Sequence, residues 1–474
     1  AAPLLASRAA SSRRMNILFV TADDLGPMLS CYGETRIATP HLDRLAASGV
    51  RFRTAYITQA SCSPSRSSMF TGLYPHGTGQ YGLANTGYEL HPHLHRATIP
   101  AVLKPAGYRT GIIGKLHVEP ESTFPFDERP RNIDMRKVRD VARAAGSFLK
   151  NSGSQPFFLM VNYSDPHAVR FPDDRNKWFF HDQVDGLPEK PVPPSRDTLF
   201  PFQQIDTPEQ RKRTAGYYNA VLRLDAGIGM LMDELQSAGR LDDTLVIFLG
   251  DHGPPFDRGK TTCYDAGMRV PFLVRWPGVS KPVVSPALVS SVDIAPTIYD
   301  AAGVQSPVKM HGRSLRPLLT GAGGGWRQHL PGEFHYHGAN LFFPRRVVRD
   351  QRYHLIHNLL AGRSKPPQGI DGDNAHIVAR EARYDGTPVR RAFDTYANPP
   401  EFELYDLEAD PAEFNNLAGQ PAVSAVERRM KEALLAWRKE SEDPFLDPAY
   451  LEKVFREGAP VTRKRQQPGA TSTP

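Results

Sequence analysis

Only three cysteines, Cys31, Cys62 and Cys263, occur in the 474 residues. They allow one disulfide at most, which excludes a disulfide-built scaffold and leaves an odd cysteine free for a chemical task. No apolar run approaches the ~18 residues of a membrane span, so no membrane partner is expected. A basic stripe with interleaved aromatics, the footprint of nucleic-acid binding, is also missing. The net charge of +7 comes from the two ends. The tail 1–14 carries Arg8, Arg13 and Arg14, and the tail 461–474 carries Arg463, Lys464 and Arg465, with no acid in either; the remainder is +1. The single glycosylation sequon, Asn162-Tyr163-Ser164, falls inside an apolar run, which argues against a heavily glycosylated lysosomal protein. The first residues are small, polar and basic, and read either as the mature start left by a cleaved leader or as an extension before a start at Met15. A periplasmic or secreted location is favoured, with the cytoplasm left open.

What is present is a globular composition, 40% hydrophobic and 23% charged, long enough for two or three domains. Thirty-eight glycines and 43 prolines, about one residue in six against a usual ~12%, predict many loops. Apolar runs at 16–21, 109–113, 156–163, 244–249 and 271–276 read as buried strands. Between them lie helical segments. One starts at Thr39-Pro40, another runs from Thr207-Pro208 to Gly239 with Val221, Leu222, Leu224, Ile228, Leu231 and Leu235 on its buried stripe, and a third covers 292–302. Strands alternating with helices predict an α/β fold with a mostly parallel sheet and helices on both faces. Gly321–Gly325 is a plausible joint. Beyond it, 346–358 and 403–407 read as strands and 422–441 as a closing amphipathic helix. The expected organisation is a catalytic domain at 15–320 and a smaller α+β domain at 326–460.

Ligands of open α/β sheets bind beyond the carboxyl ends of the strands. The run 16–21 leads to Asp23-Asp24, 109–113 to Lys115 and His117, 156–163 to Asp165-Pro166-His167, and 244–249 to Asp251-His252. Any one of these could be a turn. Four deliveries of acids, imidazoles and a lysine to one sheet edge point to a site. Ser61-Cys62-Ser63-Pro64-Ser65-Arg66 follows a strand-like 52–57 and precedes a helical 67–70 and the turn Thr71-Gly72.

Cys62-x-Pro64-x-Arg66 with Thr71-Gly72 resembles the signature of the sulfatase family, and Asp23-Asp24, Gly114-Lys115, Asp165-Pro166-His167, Asp251-His252-Gly253 and Lys260 stand in the family's order. The segments 109–127, 156–167 and 241–260 are similar to the sulfamidases, the heparan N-sulfatases. The segments 352–359 and 403–418 continue the resemblance, whereas 361–400 matches nothing in it. The resemblance implies an alkaline-phosphatase-like sulfatase fold and a nucleophile, formylglycine, made from Cys62 by a formylglycine-generating enzyme. Asp23, Asp24, Asp251 and His252, with the modified Cys62, would hold one divalent cation. Three carboxylates suit Ca2+ or Mg2+ and imidazole also suits Mn2+ or Zn2+; Ca2+ is the expected ion. Sulfamidases usually carry Asn where this chain has His252 and often Arg where it has Lys260.

The site must first neutralise an anionic substrate. One hydroxyl of the hydrated aldehyde would attack sulfur and the other would later drive release of sulfate. Arg66 and Lys115 would hold the nucleophile's charge and His117 would take the second proton. His167, as general acid, and Lys260 would face the sulfate and leaving group. His335, His337 and Arg346 precede or open a second-domain strand where such enzymes place substrate-recognition groups, although Arg346 could equally meet a structural acid. His91, His93 and His95 could form a metal tract but read better as a solvated loop. Cys31 and Cys263 read as inert, and Trp326 and Trp437 as packing. The expected activity is therefore hydrolysis of sulfate esters or sulfamates, foremost N-sulfoglucosamine at the non-reducing end of heparan-type saccharides, with an oligomer left open. The alternatives are another carbohydrate or aryl O-sulfatase, a phosphonate or phosphate ester hydrolase, and a non-catalytic glycan-binding module, which would have no use for a modifiable Cys62.

Overall fold

A computed structural model describes residues 14–174, 176–338 and 342–459. The basic tails expected from the sequence lie outside these residues, apart from Arg14. The strands in chain order are β1 (Asn16–Ala22), β2 (Val50–Tyr56), β3 (Arg109–Gly114), β4 (Phe157–Tyr163), β5 (Val169–Arg170), β6 (Trp178–Phe179), β7 (Thr244–Gly250), β8 (Phe272–Arg275), β9 (Val283–Ser290), β10 (Leu330–Phe334), β11 (Arg345–Arg349), β12 (Tyr353–Asn358) and β13 (Phe402–Asp406).

Seven strands form one sheet in the order β3-β4-β1-β7-β8-β2-β9. The neighbours β3, β4, β1 and β7 all run parallel, with Ile17 opposite both Phe158 and Leu245. The strands β1, β4 and β7 are buried at every position, which is why they read as unbroken apolar runs. Their side chains still divide by the strand period of two. Ile17, Phe19, Phe158 and Met160 enter one core with Met69, Phe70, Ile294 and Ile298. Leu18, Val20, Leu159 and Val161 enter the other with Val138, Val141, Val221, Leu224 and Ile228. Helices thus cover both faces, as the alternation of elements predicts. The longest, Pro208–Ser237, starts where Thr207 accepts a hydrogen bond from the Gln210 N–H at 3.0 Å and Pro208 occupies the first helical position.

The sequence reading of 346–358 as one strand needs correction. It is a hairpin, β11 and β12, because Asp350 turns the chain by accepting hydrogen bonds from the N–H groups of Arg352 (2.8 Å) and Tyr353 (2.6 Å). The antiparallel sheet β10-β11-β12-β13 is covered on one face by the helix Ser424–Glu440 through Met430, Leu434 and Trp437. Its other face, with Val347, Ile356 and Tyr405, joins the core that holds Ile17 and Phe272. The segment 361–400, which the sequence left unplaced, packs on the large sheet's side through Asp257. That carboxylate accepts from Gly369 N (2.8 Å), His376 N (3.0 Å), His376 Nδ1 (2.7 Å) and the Tyr396 hydroxyl (3.1 Å). No helix among the described residues is long and apolar enough to cross a membrane.

Candidate active site

Since β3, β4, β1 and β7 are adjacent and parallel, their carboxyl ends lie side by side. That topology brings Lys115 and His117, His167, Asp23 and Asp24, and Asp251 and His252 to one edge. The strand β2 is antiparallel to β8, which is antiparallel to β7, so β2 also points there and delivers the segment leading to Cys62. The next helix starts at Cys62 itself and runs to Thr71, five residues before the sequence reading placed it. A Ser- and Pro-rich stretch looks like loop. Pro64 is nevertheless compatible with the first turn of a helix, where backbone N–H groups have no intrahelical acceptor. Cys62 therefore sits at the positive end of a helix, buried to 3% exposure.

Around it the charges interlock. Arg66 contacts Asp251 Oδ2 from Nε (3.1 Å) and Nη2 (3.0 Å), reaches Asp23 Oδ1 at 3.4 Å, and donates to Asn162 Oδ1 at 3.1 Å. Lys115 Nζ lies 2.8 Å from Asp23 Oδ2. Lys260 Nζ lies 3.0 Å from Asp24 Oδ1, 2.8 Å from Asp371 Oδ2 and 3.4 Å from His167 Nε2. His252 Nε2 faces Asp24 Oδ1 at 3.2 Å and Cys62 Sγ at 3.3 Å. Arg66, placed by the family resemblance at the nucleophile's charge, spends its guanidinium on Asp251, Asp23 and Asn162 and so holds the carboxylates in place.

The electrostatics come from this crowding. Burial alone would raise the Cys62 thiol, but Lys115 and Lys260 draw it down to about 6. Burial raises Cys31 and Cys263 to about 12, which leaves both inert beside Cys62. Burial pushes Asp24 to about 6, and burial with the neighbouring Asp23 charge pushes Asp251 to about 7. Against the cost of burial, Asp251 and Asp24 lift His252 to about 10. Burial and Lys115 hold His117 well below its ordinary value, which favours the neutral imidazole, and its buried Nδ1 has no hydrogen-bond partner among the described residues.

This is a donor set that a divalent cation fits. Asp23, Asp24, Cys62 and His252 bring ligand atoms within 4.8 Å of one another, and the buried Asp24 Oδ1, although close to Lys260 and His252, takes no hydrogen bond among the described residues. His252 Nδ1 points at the Gly253 carbonyl at 2.9 Å, an arrangement that leaves Nε2 as the ligand atom. Asp251 lies beside this group, with Oδ1 accepting the Asp24 N–H at 2.9 Å and standing 3.8 Å from His252 Nε2.

Two of the sequence candidates fall away. Arg346 is fully buried and forms a two-point pair with Asp443, Nε–Oδ2 2.8 Å and Nη2–Oδ1 2.6 Å. His335 is also fully buried, with Nδ1 3.1 Å from Gln59 Oε1 and its ring against Tyr81 and Phe445. Neither has a surface to offer a sugar; Arg346 ties the small sheet to Asp443, and His335 ties the chain after β10 to Gln59. His337 differs, lying 3.0 Å from the Ser61 hydroxyl beside Cys62. Asp165, although at a strand end, is occupied by Arg223 at 2.7 Å on both oxygens. His91 and His93 stack at 5.8 Å on a groove of about 600 Å³ shared with Leu73, His311 and Tyr450, which Cys62 does not line. Trp326 donates to the Leu288 carbonyl at 2.7 Å and Trp437 packs edge-on against Tyr74.

Two residues escaped the sequence reading. Asn162, the buried sequon asparagine, orients Arg66; an amide inside the run FFLMVNY was the available signal. Asp371, from the unplaced segment, reaches Lys260, and only its Gly-Ile-Asp-Gly turn composition marked it.

The sulfatase family model matches residues 15–304, and the model described as N-sulphoglucosamine sulphohydrolase, C-terminal, matches residues 250–363. The chain is 34% identical over 466 residues to N-sulphoglucosamine sulphohydrolase of Homo sapiens, covering 92% of each. In structure it resembles BT4656 solved in complex with its substrate D-glucosamine-2-N,6-O-disulfate, with a TM-score of 0.66 and 23% identity over 91% of this chain and 98% of that one. A phosphonate monoester hydrolase from Silicibacter pomeroyi shares the fold, with a TM-score of 0.63 and 22% identity over 90% of this chain and 96% of that one. The expected alkaline-phosphatase-like sulfatase fold is thus the one found.

Proposed function

The chain belongs to the sulfatase family and is a sulfate or sulfamate hydrolase, and from that premise we propose that its substrate is N-sulfoglucosamine at the non-reducing end of heparan-type saccharides. The observation that carries the substrate is the likeness to N-sulphoglucosamine sulphohydrolase along 92% of both chains. Burial of Cys62 to 3% supports attack on a chain end, which enters an enclosed centre more readily than an internal sugar with neighbours on both sides.

The modification of Cys62 to formylglycine by a formylglycine-generating enzyme would supply a hydrated aldehyde, a nucleophile with a second hydroxyl through which sulfate is released. Asp23, Asp24, Asp251 and His252 would hold one divalent cation against the sulfate, and this carboxylate-rich set suits Ca2+, with Mn2+ or Mg2+ as alternatives. Lys115 and Lys260 neutralise the substrate's charge on either side of the nucleophile. His117, kept neutral by burial and Lys115, is suited to accept a proton. Burial lowers His167, against the pull of Asp24. Its Nδ1 lies 2.5 Å from the Ala168 carbonyl, which leaves Nε2 facing Lys260. An incoming sulfate favours the protonated ring, and Nε2–H then donates to the leaving nitrogen. A periplasmic or secreted location fits a saccharide substrate, with the cytoplasm as the alternative.

The test is a panel of N-sulfo-, 2-O-sulfo- and 6-O-sulfo-sugars beside an aryl sulfate and an aryl phosphonate ester. Sulfate release from terminal N-sulfoglucosamine is expected. Release from only an O-sulfated sugar would overturn the substrate and keep the hydrolase class; preferential turnover of the phosphonate would favour the phosphonate hydrolase reading.

A further inference from the structure

Asp371 is a carboxylate in a pocket built for anions. Lys260 already has Asp24 as a partner at 3.0 Å, so a second acid at 2.8 Å adds negative charge where an incoming sulfate is repelled by it. Such a placement needs a positive or hydrogen-donating group to meet it. Asp371 Oδ2 takes the Lys260 bond, whereas Oδ1 accepts nothing among the described residues and is not sealed from solvent. Asp24, His167 and Asp371 bring their polar atoms within 4.8 Å of one another. Asp371 therefore stands beside the imidazole that faces the leaving group.

The loop is held from outside the site. Arg213 Nη2 donates to the Asp371 carbonyl at 2.9 Å and to the Pro255 carbonyl at 2.9 Å. Gly369 N donates to Asp257 Oδ1 at 2.8 Å, and Asp373 Oδ2 accepts from Asp257 N at 2.7 Å. Asp371 itself adopts a left-handed φ of 49°. At Gly372 (φ 79°) a Cβ would come within 3.0 Å of Trp178, so only glycine fits there without strain. A side chain aimed at the reacting group by a rigid support of this kind is preorganised.

The chemistry of the two candidate ester classes differs at one atom. A sulfamate nitrogen carries an N–H donor; the bridging oxygen of a sulfate ester carries none. Hydrolysis breaks the S–N bond, with R–NH–SO3⁻ and H2O giving R–NH3⁺ and SO4²⁻, so the leaving nitrogen ends as a cation. We propose that Asp371 is a specificity-determining residue whose carboxylate accepts the sulfamate N–H and then holds the ammonium product, and so favours N-sulfated over O-sulfated sugars. This rests on the N-sulfoglucosamine reading above.

The experiment compares kcat/KM for N-sulfoglucosamine and for an aryl O-sulfate in the full-length enzyme, in Asp371→Ala and in Asp371→Asn. Loss of a hydrogen bond to a charged acceptor lowers the sulfamate-to-ester ratio by about ten- to a hundredfold. As a second measurement that does not depend on turnover, glucosamine should inhibit the wild type and lose potency against Asp371→Asn, while inorganic sulfate, freed of the Asp371 charge, should inhibit the variant at least as well as the wild type. Equal losses on both substrates would show that Asp371 only positions Lys260 and would overturn the proposal, as would an unchanged ratio. A wild type that turns over aryl sulfate but not N-sulfoglucosamine would sink the substrate reading and this proposal together, whereas sulfamate turnover with an unchanged ratio sinks this proposal alone.

Discussion

Replacing Glu333 by Gln should destabilise the protein in a pH-dependent way while leaving the chemistry of the folded enzyme intact. Glu333 is fully buried on β10. Its Oε1 accepts the His76 N–H at 2.8 Å, and its Oε2 lies 2.6 Å from His76 Nδ1 and 3.6 Å from Arg346 Nε. His76 in turn points Nε2 at the Ser441 carbonyl at 2.8 Å, so one carboxylate ties the turn after the catalytic helix to the small sheet and the end of its covering helix. Burial would raise Glu333, but His76 and Arg346 outweigh it and hold the carboxyl at about 2 against an ordinary 4.5. A difference of that size corresponds to about 3 kcal/mol of folding stability. Because the folded value is depressed, this contribution is complete above pH 4.5 and is lost as pH falls towards 2. His76 behaves oppositely. Burial lowers it, but Glu333 raises it above 6.5 overall, so its share is complete below pH 6.5 and is lost as pH rises through the folded value. Urea unfolding of wild type and Glu333→Gln should therefore differ by about 3 kcal/mol near pH 6, and the gap should shrink by about 2 kcal/mol on going to pH 3. Titrations remote from this cluster cancel in the difference; that of His76 does not, because Glu333 raises it in the wild type alone. A gap that is the same at both pH values would refute the ion-pair account of this cluster. A loss of kcat/KM in folded Glu333→Gln would reopen a substrate-recognition part for His335 and Arg346.

Cys62→Ala should abolish multiple turnover with the melting temperature nearly unchanged, and mass analysis of the wild-type peptide containing Cys62 should find formylglycine; full turnover in the variant would refute the nucleophile. A chelator should remove activity and lower the melting temperature, since Asp23, Asp24 and Asp251 repel one another without a cation. Metal analysis should find about one ion per chain on this ligand count, and undiminished turnover in metal-free enzyme would overturn the assignment. His167→Ala should slow sulfamate hydrolysis at least about tenfold more than hydrolysis of an activated aryl sulfate, because an amine needs protonation to leave and an acidic phenol does not. Equal slowing would move the general acid elsewhere.

Much of the catalytic edge was legible along the chain because parallel central strands announce themselves as unbroken apolar runs, and the residues just past each run are the ones a sheet edge exposes. Asp23, Asp24, Lys115, His117, His167, Asp251 and His252 were found in that way, and Cys62, Pro64 and Arg66 by their resemblance to the sulfatase signature. Tertiary structure decided what each does. The order β3-β4-β1-β7 made the four strand ends neighbours, which no local pattern encodes. Asp165 shared its position with His167 yet was claimed by Arg223, a residue on a distant helix. Arg346 and His335 looked available for a substrate until Asp443 and Gln59 occupied them, because the pairing of a buried charge depends on chain folded back from far along the sequence. Asp371 was invisible for the converse reason. The turn 369–372 that carries it has neither strand nor helix periodicity, and its direction is set by Asp257 and Arg213, both far away in sequence. Local composition determined which residues could do chemistry; long-range packing of charges determined which of them face the substrate.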